Sequence, residues 1–315
     1  MARIGLHQKR RDGIPPSTPE VRWKTDDRHG RGMAASALCL KGRAQLNPAG
    51  KTAAVISGDA NRSFYDNPAT VEYFGTFKKE LFKAEAVILD SLKEEIQDQP
   101  ILEIGIGGGR ITEYLRLLSA DYTGVDYSEK MVEFCRQRFG DLLLFVCDAR
   151  NMPCFGAEQF KTVMFGYNGI DEVGLSDRLL ILQEVQRVLK RDGVFIFSSH
   201  NLDWESIPSC FRKRLSFGRG VFKSLKANLV RLWVYASGVA NWLRIKMLHK
   251  GQAMFLEYEG SPGIALPVFY SSQLAQVAQL QSAGFRDIQA VSMDGEPLND
   301  HNRSKYFMIF YVARK

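Results

Sequence analysis

The chain has 315 residues, enough for one large domain or two ordinary ones with a proper hydrophobic core. Its 45% hydrophobic and 24% charged residues are ordinary for a soluble globular protein. The net charge of +7 and the pI near 9.1 could point to nucleic acid or an anionic membrane. The excess cations sit largely in two segments, however, so the charge says little about the rest of the chain.

The cysteine pattern and the lack of a recognisable targeting signal favour a cytoplasmic protein. Five cysteines form no CxxC pair and no metal-ligand spacing with histidine, which predicts reduced thiols and no metal site. The N-terminal stretch lacks the apolar core of a signal peptide. The most hydrophobic later stretch, ANLVRLWVYASGVANWLRIKM, is interrupted by Arg231 and Arg244, whereas a spanning helix needs roughly 20 apolar residues.

The N-terminal part is predicted to be disordered up to about residue 60. Residues 1–60 are rich in Arg, Lys, Gly, Pro and Ser and show little apolar periodicity, which favours a solvated basic tail over a nucleic-acid-binding arm. Ordered structure is predicted from residue 61 onward. Asp66 can cap a first helix, and Pro68 suits the first turn of that helix. A helical stripe follows, formed by Phe77, Leu81, Phe82, Ala84, Val87, Ile88 and Leu92.

Strands and helices then alternate. Strands are predicted at 100–105, 121–127, 142–149, 161–167 and 194–199, with helices at 109–120, 128–140 and 176–193. The last of these helices is predicted to begin at a capping Ser176 and to end at Gly193. Because the strands are continuously apolar, the pattern predicts a parallel sheet covered on both faces.

An insertion interrupts this alternation. Residues 202–264 are basic and aromatic and are predicted to form a helical insertion, beyond which a helix and two strands complete the sheet. The predicted organisation is therefore one α/β domain built from residues 61–201 and 265–315, with the N-terminal tail and the insertion outside it.

The segment ILEIGIGGGR suggests a ligand site, since a glycine-rich turn after a strand brings backbone N–H groups and a helix N-terminus to a polar ligand. A dinucleotide fingerprint needs a third glycine where Arg110 stands, and no G-K-[ST] of a phosphate loop is present. The pattern is E-x-G-x-G-x-G. Asp126 ends the next strand, where an acid can bind a ribose diol, and Asp148 follows the third strand, where a carboxylate can accept from an adenine amine.

These motifs resemble those of the class I S-adenosylmethionine-dependent methyltransferases. The resemblance rests on LEIGIGGGR, GVDYSEKMVE, CDARNMP and LKRDGVFIFSSHN, which follow in the family's order and spacing. It implies an α/β, Rossmann-like, doubly wound seven-stranded sheet, mostly parallel with the last strand antiparallel, and a helical insertion before the C-terminal strands. It also implies S-adenosyl-L-methionine as the cofactor.

The resemblance assigns a set of cofactor-binding positions. Glu103 would orient the loop or the amino end of the cofactor, the glycines would approach its methionine part, and Asp126 would bind the ribose. The positions implied are Tyr65, Glu103, Gly105, Ile106, Gly107, Gly109, Asp126, Tyr127, Met131, Asp148, Ala149 and Phe165.

Catalytic residues are expected at the ends of the fourth and fifth strands. FGYNGIDEV and FSSHN are similar to a branch of small methyltransferases with NGID and S-x-HN at these places. His200 is the predicted general base, and Asn168 and Asp171 are predicted to bind polar groups of the acceptor or cofactor. A structural histidine at a strand end and an ordinary Asn-Gly turn are the competing interpretations.

The predicted activity is methyl transfer to an oxygen or nitrogen of a small-molecule acceptor. The alternatives are a cofactor-binding scaffold without turnover, a lipid-like acceptor at a membrane, and a nicotinamide oxidoreductase, which Arg110 disfavours. The basic insertion is interpreted first as a lid, then as a peripheral membrane contact through residues 210–250, and last as a nucleic-acid surface. Oligomeric state and acceptor identity are left open.

Overall fold

The computed structural model describes residues 58–77, 80–205, 252–257 and 266–315. The predicted disordered segment, apart from its last residues, and nearly all of the basic part of the insertion lie outside the described residues. No helix in the described ranges is long and apolar enough to cross a membrane.

The described residues form one sheet of nine strands. The strands are β1 (Ile101–Ile104), β2 (Tyr122–Asp126), β3 (Leu143–Val146), β4 (Phe160–Phe165), β5 (Leu189–Asn201), β6 (Gln252–Glu257), β7 (Leu266–Ser271), β8 (Arg286–Val291) and β9 (Met308–Arg314). The helices are α1 (Gly58–Tyr65), α2 (Pro68–Thr76), α3 (Lys83–Ser91), α4 (Lys93–Ile96), α5 (Thr112–Leu118), α6 (Glu129–Phe139), α7 (Leu175–Val188) and α8 (Gln273–Ser282). A 3₁₀ turn at Gly169–Glu172 follows β4.

The predicted mostly parallel α/β sheet with an antiparallel last strand is confirmed, but the sheet formed by the described residues has nine strands and not the seven predicted. Strands β3, β2, β1, β4 and β5 are parallel neighbours in that order. Strand β9 then pairs antiparallel with β5, and β8 pairs antiparallel with β9. This order places the carboxyl ends of β1, β2, β4 and β5 at one edge of the sheet, where ligands of open α/β sheets bind.

A hairpin of β6 and β7 adds to this sheet. β7 pairs in parallel with β5 only at His200 and Asn201, beyond the last β4 partner at Phe197. The backbone N–H of Asn201 donates to the carbonyl of Phe307, the residue just before β9. The backbone N–H of Leu202 donates to the carbonyl of Ser271 in β7. The hairpin therefore lies on the β4 side of β5, past the end of β4. The prediction of a wholly helical insertion was wrong, because residues 252–257 are the strand β6.

The predicted first helix is broken into separate pieces. Asn67 rather than Asp66 caps α2, accepting a hydrogen bond from the Ala69 N–H at 2.9 Å. The chain is extended at Phe77 and Phe82, so only Ala84, Val87 and Ile88 of the predicted stripe lie within a helix, which is α3. Val87 is 42% exposed and does not belong to the core.

The helix before β5 also differs from its prediction. It begins after Gly174, without a side-chain cap from Ser176, and ends at Val188. The polar residues up to Gly193 form an irregular start of β5, where Asp192 has a left-handed φ of 58° and the β4–β5 register shifts.

Alternate residues of β5 enter two apolar clusters, as expected for a strand buried on both faces. Phe195 and Phe197 pack with residues of α7, and Val194 and Ile196 pack with residues of α3 and α5. The predicted covering of both faces is confirmed, and it leaves the carboxyl edge as the place for polar chemistry.

Candidate functional site

The glycine loop joins β1 to α5 in a left-handed backbone conformation. Gly105, Gly107 and Gly109 have φ values of 68°, 50° and 79°. A Cβ on Gly109 would lie 2.3 Å from the Phe139 ring, so this glycine is required by packing. A Cβ on Gly107 would have no described atom within 4 Å. The loop is therefore open at Gly107.

Helix α2 packs on the same loop at a glycine that was not predicted as a site residue. A Cβ on Gly108 would lie 2.1 Å from the carbonyl oxygen of Phe74. Only glycine allows this approach of two backbones. The sequence shows four glycines in this loop. Their spacing does not distinguish Gly108, which packs against α2, from Gly107, which faces open space.

Asp126 ties the loop to the end of β2. Its carboxylate accepts hydrogen bonds from the N–H groups of Gly107 and Ser128, each at 2.9 Å. Burial raises the pKa of Asp126 to about 6, because these hydrogen bonds only partly offset the desolvation and the charge of Asp66 adds to it. Asp66 itself accepts from the Ser128 hydroxyl at 2.7 Å. The expected ribose-binding carboxylate thus lies directly beside Gly107.

Glu103 is buried beneath the loop. Its Oε2 accepts hydrogen bonds from the Tyr122 hydroxyl at 2.6 Å and from the Thr112 hydroxyl at 2.8 Å. Burial raises the pKa of Glu103 to about 7 despite both hydrogen bonds. These contacts join β1, β2 and the start of α5. Of the two roles expected for Glu103, the geometry therefore favours orienting the loop over orienting the amino end of the cofactor.

Arg110 occupies the position where a dinucleotide fingerprint has its third glycine, and its role was missed in the sequence. Its guanidinium makes two hydrogen bonds with the carboxylate of Glu85, at 2.5 and 2.8 Å, and lies 4.7 Å from the centre of the Phe82 ring. Glu85 is fully buried. The ion pair attaches α3 to the loop, which explains why an arginine is accommodated there.

The N-terminal helices reach the loop after β4 through aromatic and polar contacts. Tyr65 donates a hydrogen bond to the Glu172 carboxylate, and the Asn61 amide donates to the Glu172 carbonyl at 2.8 Å. The Tyr65 ring is 5.9 Å from that of Tyr127. The buried Tyr127 hydroxyl has no hydrogen-bond partner among the described residues. Met131, the remaining predicted residue here, is fully buried.

The remaining predicted cofactor residues lie either just after β3 or in the apolar core. Asp148 is half-buried and paired with Arg150, whose guanidinium donates to it at 2.6 Å. Burial favours the neutral acid, yet the hydrogen bonds and charge of Arg150 hold the pKa of Asp148 below its usual value. Ala149 packs at the edge of the apolar core, and Phe165 and Ile106 lie within it. Any contact of Ile106 with a ligand would come from its backbone.

The three predicted catalytic residues are brought together at the ends of β4 and β5. The Asp171 Oδ2 accepts hydrogen bonds from the backbone N–H of His200 at 2.6 Å and from its Nδ1 at 2.8 Å. The Asn168 amide nitrogen lies 3.2 Å from the His200 Nε2. Asp171 is fully buried, and the His200 side chain is 16% exposed. A carboxylate only accepts hydrogen bonds, so Nδ1 carries the hydrogen and Nε2 is the basic nitrogen.

Aromatic side chains lie against His200 and next to Asn168 in the chain. The ring of Tyr167 stacks on Phe82 at 5.9 Å and lies 5.2 Å from Phe77. The Tyr270 ring of the β6–β7 hairpin lies 4.8 Å from the His200 imidazole. The imidazole thus packs on an aromatic ring of β7, and Tyr167, the residue before Asn168, belongs to a second aromatic cluster with Phe77 and Phe82.

One residue of this group, Arg178, was not predicted. Arg178 is fully buried and donates to the Asp171 carboxylate. The signal was present, because Arg178 stands three, four and seven residues before the core residues Ile181, Leu182 and Val185, on the apolar face of α7. An arginine on such a face requires a buried partner.

Residues 102–197 match the family described as methyltransferase domain. The sheet order above agrees with this match over the part of the chain that it covers. These residues form a class I S-adenosylmethionine-dependent methyltransferase domain. The glycine loop, Asp126 and the end of β5 as far as Phe197 lie inside the matched range, and His200 lies three residues beyond it.

Two curated relatives match this methyltransferase domain. The demethylmenaquinone methyltransferase of Thermotoga maritima is 33% identical over 102 residues, which are 31% of this chain and 42% of the relative. The fatty-acid O-methyltransferase of Mycolicibacterium smegmatis is 30% identical over 109 residues, which are 33% of this chain and 38% of the relative. The chain thus spans less than half the length of these relatives.

A solved structure shows the same fold. The 1,6-didemethyltoxoflavin-N1-methyltransferase of Burkholderia thailandensis, with bound 1,6-didemethyltoxoflavin and S-adenosylhomocysteine, superposes with a TM-score of 0.50 at 14% identity. The match covers 85% of this chain and 93% of that one. It supports the architecture of the methyltransferase domain well beyond the matched family segment.

Proposed function

We propose that the chain transfers the methyl group of S-adenosylmethionine to an oxygen or nitrogen of a small-molecule acceptor, with His200 as the general base. The observation that carries this proposal is the 2.8 Å hydrogen bond between His200 Nδ1 and Asp171 at the carboxyl edge of the sheet. The alternative of a scaffold without turnover does not require such a pair.

The residues at the glycine loop fit the cofactor. The open face of Gly107 leaves room for a ligand against the backbone, and the unpartnered Tyr127 hydroxyl offers a buried polar contact. Asp126 would bind the ribose hydroxyls, and Asp148 with Ala149 would face the adenine edge. Tyr65 and Met131 would complete the walls. When bound, S-adenosylmethionine supplies a methyl group activated by the sulfonium.

The acceptor residues then have defined tasks. A neutral O–H or N–H acceptor must lose a proton as its oxygen or nitrogen attacks, and His200 Nε2 can take that proton. Asp171 holds the imidazole by Nδ1 and stabilises the positive charge that develops on it. The Asn168 amide nitrogen lies 3.2 Å from the same Nε2 and must give up this contact when the O–H or N–H of the acceptor takes its place. Correct placement of the acceptor supplies much of the remaining acceleration.

The surroundings favour an acceptor with an apolar or aromatic body. The Tyr270 ring lies against the His200 imidazole, and Tyr167, the residue before Asn168, packs on Phe77 and Phe82. The names of the two curated relatives, which refer to demethylmenaquinone and to fatty acids, agree with apolar small molecules. A membrane contact through residues 210–250 lies outside the described residues and remains a separate prediction.

Calorimetric titration tests the cofactor. We expect micromolar binding of S-adenosylmethionine and S-adenosylhomocysteine but not of NADH, and we expect the affinity to fall as the pH is lowered through about 6, the raised pKa of Asp126. Protonation removes a carboxylate that accepts from ribose hydroxyls, and such a bond is worth roughly 1.5–3 kcal/mol, or about 10- to 100-fold in affinity. Asp126→Asn should bind more weakly and without this pH dependence.

The control for this titration is Asp121→Asn, an exposed acid just before the same strand, which should bind as the wild type does. Binding of NADH alone would overturn the assignment of the cofactor. If none of the three ligands bound, both the proposed methyl transfer and the cofactor-binding scaffold would be contradicted.

Substitution of Gly107 tests the open face of the loop. Gly107→Ala should fold, since its Cβ meets no described atom, yet it should weaken S-adenosylhomocysteine binding at least about tenfold by filling ligand space. Gly140→Ala is the matched control, because Gly140 also has a positive φ and an open Cβ position but follows α6. Each change costs about 1–3 kcal/mol of backbone strain, because both positions have a positive φ. Equal affinities of the two variants would contradict the assignment.

A further inference from the structure

A fully buried arginine stands behind the His200–Asp171 pair and connects it to helix α8. Arg178 Nη1 donates to Asp171 Oδ1 and to the carbonyl of Ile170, the latter at 2.9 Å. Its Nη2 donates to the Gln276 side-chain oxygen at 2.5 Å. Its guanidinium carbon lies 4.6 Å from the centre of the Phe269 ring. Three segments thus hold this one cation: the 3₁₀ turn after β4, strand β7 and helix α8.

Asp171 has no orientational freedom in this arrangement. Its Oδ1 accepts from Arg178 and from the Ser199 hydroxyl at 2.8 Å. Its Oδ2 accepts from the backbone N–H and the Nδ1 of His200 at 2.6 and 2.8 Å. Four donors occupy the approximately four lone-pair sites of a carboxylate. The plane of the carboxylate, and hence the direction in which it holds the imidazole, is determined by Arg178 on one side and His200 on the other.

The charges matter as much as the geometry. With Arg178 and Asp171 both ionised, the buried group is neutral as long as His200 is neutral. Without the cation, the Asp171 charge would be unopposed and would stabilise a protonated imidazole. The other titratable groups nearby do not replace Arg178. Tyr311 of β9 is buried, which raises its pKa and keeps it neutral, and Asp203 after β5 is an acid.

We propose that Arg178 and Gln276 are positioning residues that fix the tautomer of His200 and keep its imidazole neutral and basic at physiological pH. The proposal rests on the proposed function for its relevance to catalysis. Its physical content, the state of the His200 ring, can be measured without any methyl acceptor. Neither residue touches the cofactor loop, so cofactor binding should not depend on them.

The test is NMR titration of the imidazole signals in the full chain, with the His200 signals identified by their loss in His200→Gln. In the wild type we expect a ring with hydrogen on Nδ1. In Arg178→Met the titration midpoint should rise by about one pH unit or more, because the opposing charge is gone. Arg178→Lys keeps a charge and should restore most of the midpoint but not the fixed tautomer.

Helix α8 provides a matched pair of variants that test the role of Gln276. Gln276→Leu removes the partner of Arg178 and should let both tautomers appear, whereas Gln279→Leu, one turn later and also buried, should change nothing. Gln276→Leu also decides the proposal if Arg178→Met fails to fold. S-adenosylhomocysteine affinity should remain within about twofold of wild type in every folded variant.

The outcomes separate the two levels of inference. An unchanged His200 midpoint in Arg178→Met, or an unchanged tautomer in Gln276→Leu, would overturn the positioning role. If the ring responds as expected while His200→Gln retains full turnover, the positioning role stands and the general-base role in the proposed function fails.

Discussion

Replacing His200 with glutamine is expected to lower kcat roughly 10²–10⁴-fold, the usual contribution of a positioned general base. Glutamine can keep the hydrogen bond to Asp171 but cannot accept the acceptor's proton. Affinity for S-adenosylhomocysteine should stay within about twofold, because His200 lies at the end of β5, away from the glycine loop. The measurement is steady-state methyl transfer together with calorimetry on the same preparation.

The exposed His301 gives a control, and His301→Gln should leave kcat unchanged. Asn168→Ala should reduce kcat less than His200→Gln does, since Asn168 contacts the ring without taking the acceptor's proton. Full turnover by His200→Gln would contradict the base role. It would be the expected result for an acceptor that is already ionised, such as a carboxylate, which has no proton to lose.

Replacing Glu85 with alanine is expected to lower the free energy of unfolding by about 3–5 kcal/mol. The reason is that Arg110 would remain as an unpaired charge in a site where it is 9% exposed. Equilibrium denaturation in urea measures the loss. Since the ion pair also attaches α3 to the glycine loop, cofactor affinity should fall in the same variant.

The exposed pair of Arg116 and Glu113 is the matched control, with side chains 37% and 39% exposed. Glu113→Ala should cost less than about 1 kcal/mol, because water already solvates both charges. The double variant Glu85→Leu with Arg110→Met should recover most of the stability, since it removes both buried charges. A loss for Glu85→Ala as small as that for Glu113→Ala would show that Arg110 finds solvent or another partner.

The cofactor edge could be predicted because its signals are local. An apolar run followed by E-x-G-x-G-x-G specifies a strand and a tight turn within ten residues, and Asp126 ends the next strand by the same kind of pattern. Parallel strands place their carboxyl ends at one edge, so the convergence of the glycine loop with Asp126 follows from strand order. The same reasoning placed Asn168, Asp171 and His200 near one another, and the structure brings them into hydrogen-bond contact.

Boundaries and irregular elements were predicted less well. The stripe from Phe77 to Leu92 has helical spacing, but the extended backbone at Phe77 and Phe82 divides it. Strand β6 was assigned to a helical insertion because its six residues carry no alternation strong enough to separate them from their basic, aromatic neighbours. A strand of that length forms because it pairs with β7, and the local sequence pattern does not show that pairing.

The sequence by itself determined the α/β sheet, the glycine loop and the residues that meet at its carboxyl edge, because hydrophobic periodicity and turn residues act over a few positions. Only the tertiary structure decided which partners accept hydrogen bonds from the buried charges inside the protein. Arg110 and Glu85 are 25 residues apart, and Arg178 and Gln276 are 98 apart. Such pairs are selected by the cost of burying an unpaired charge, and that cost arises only once the chain has packed.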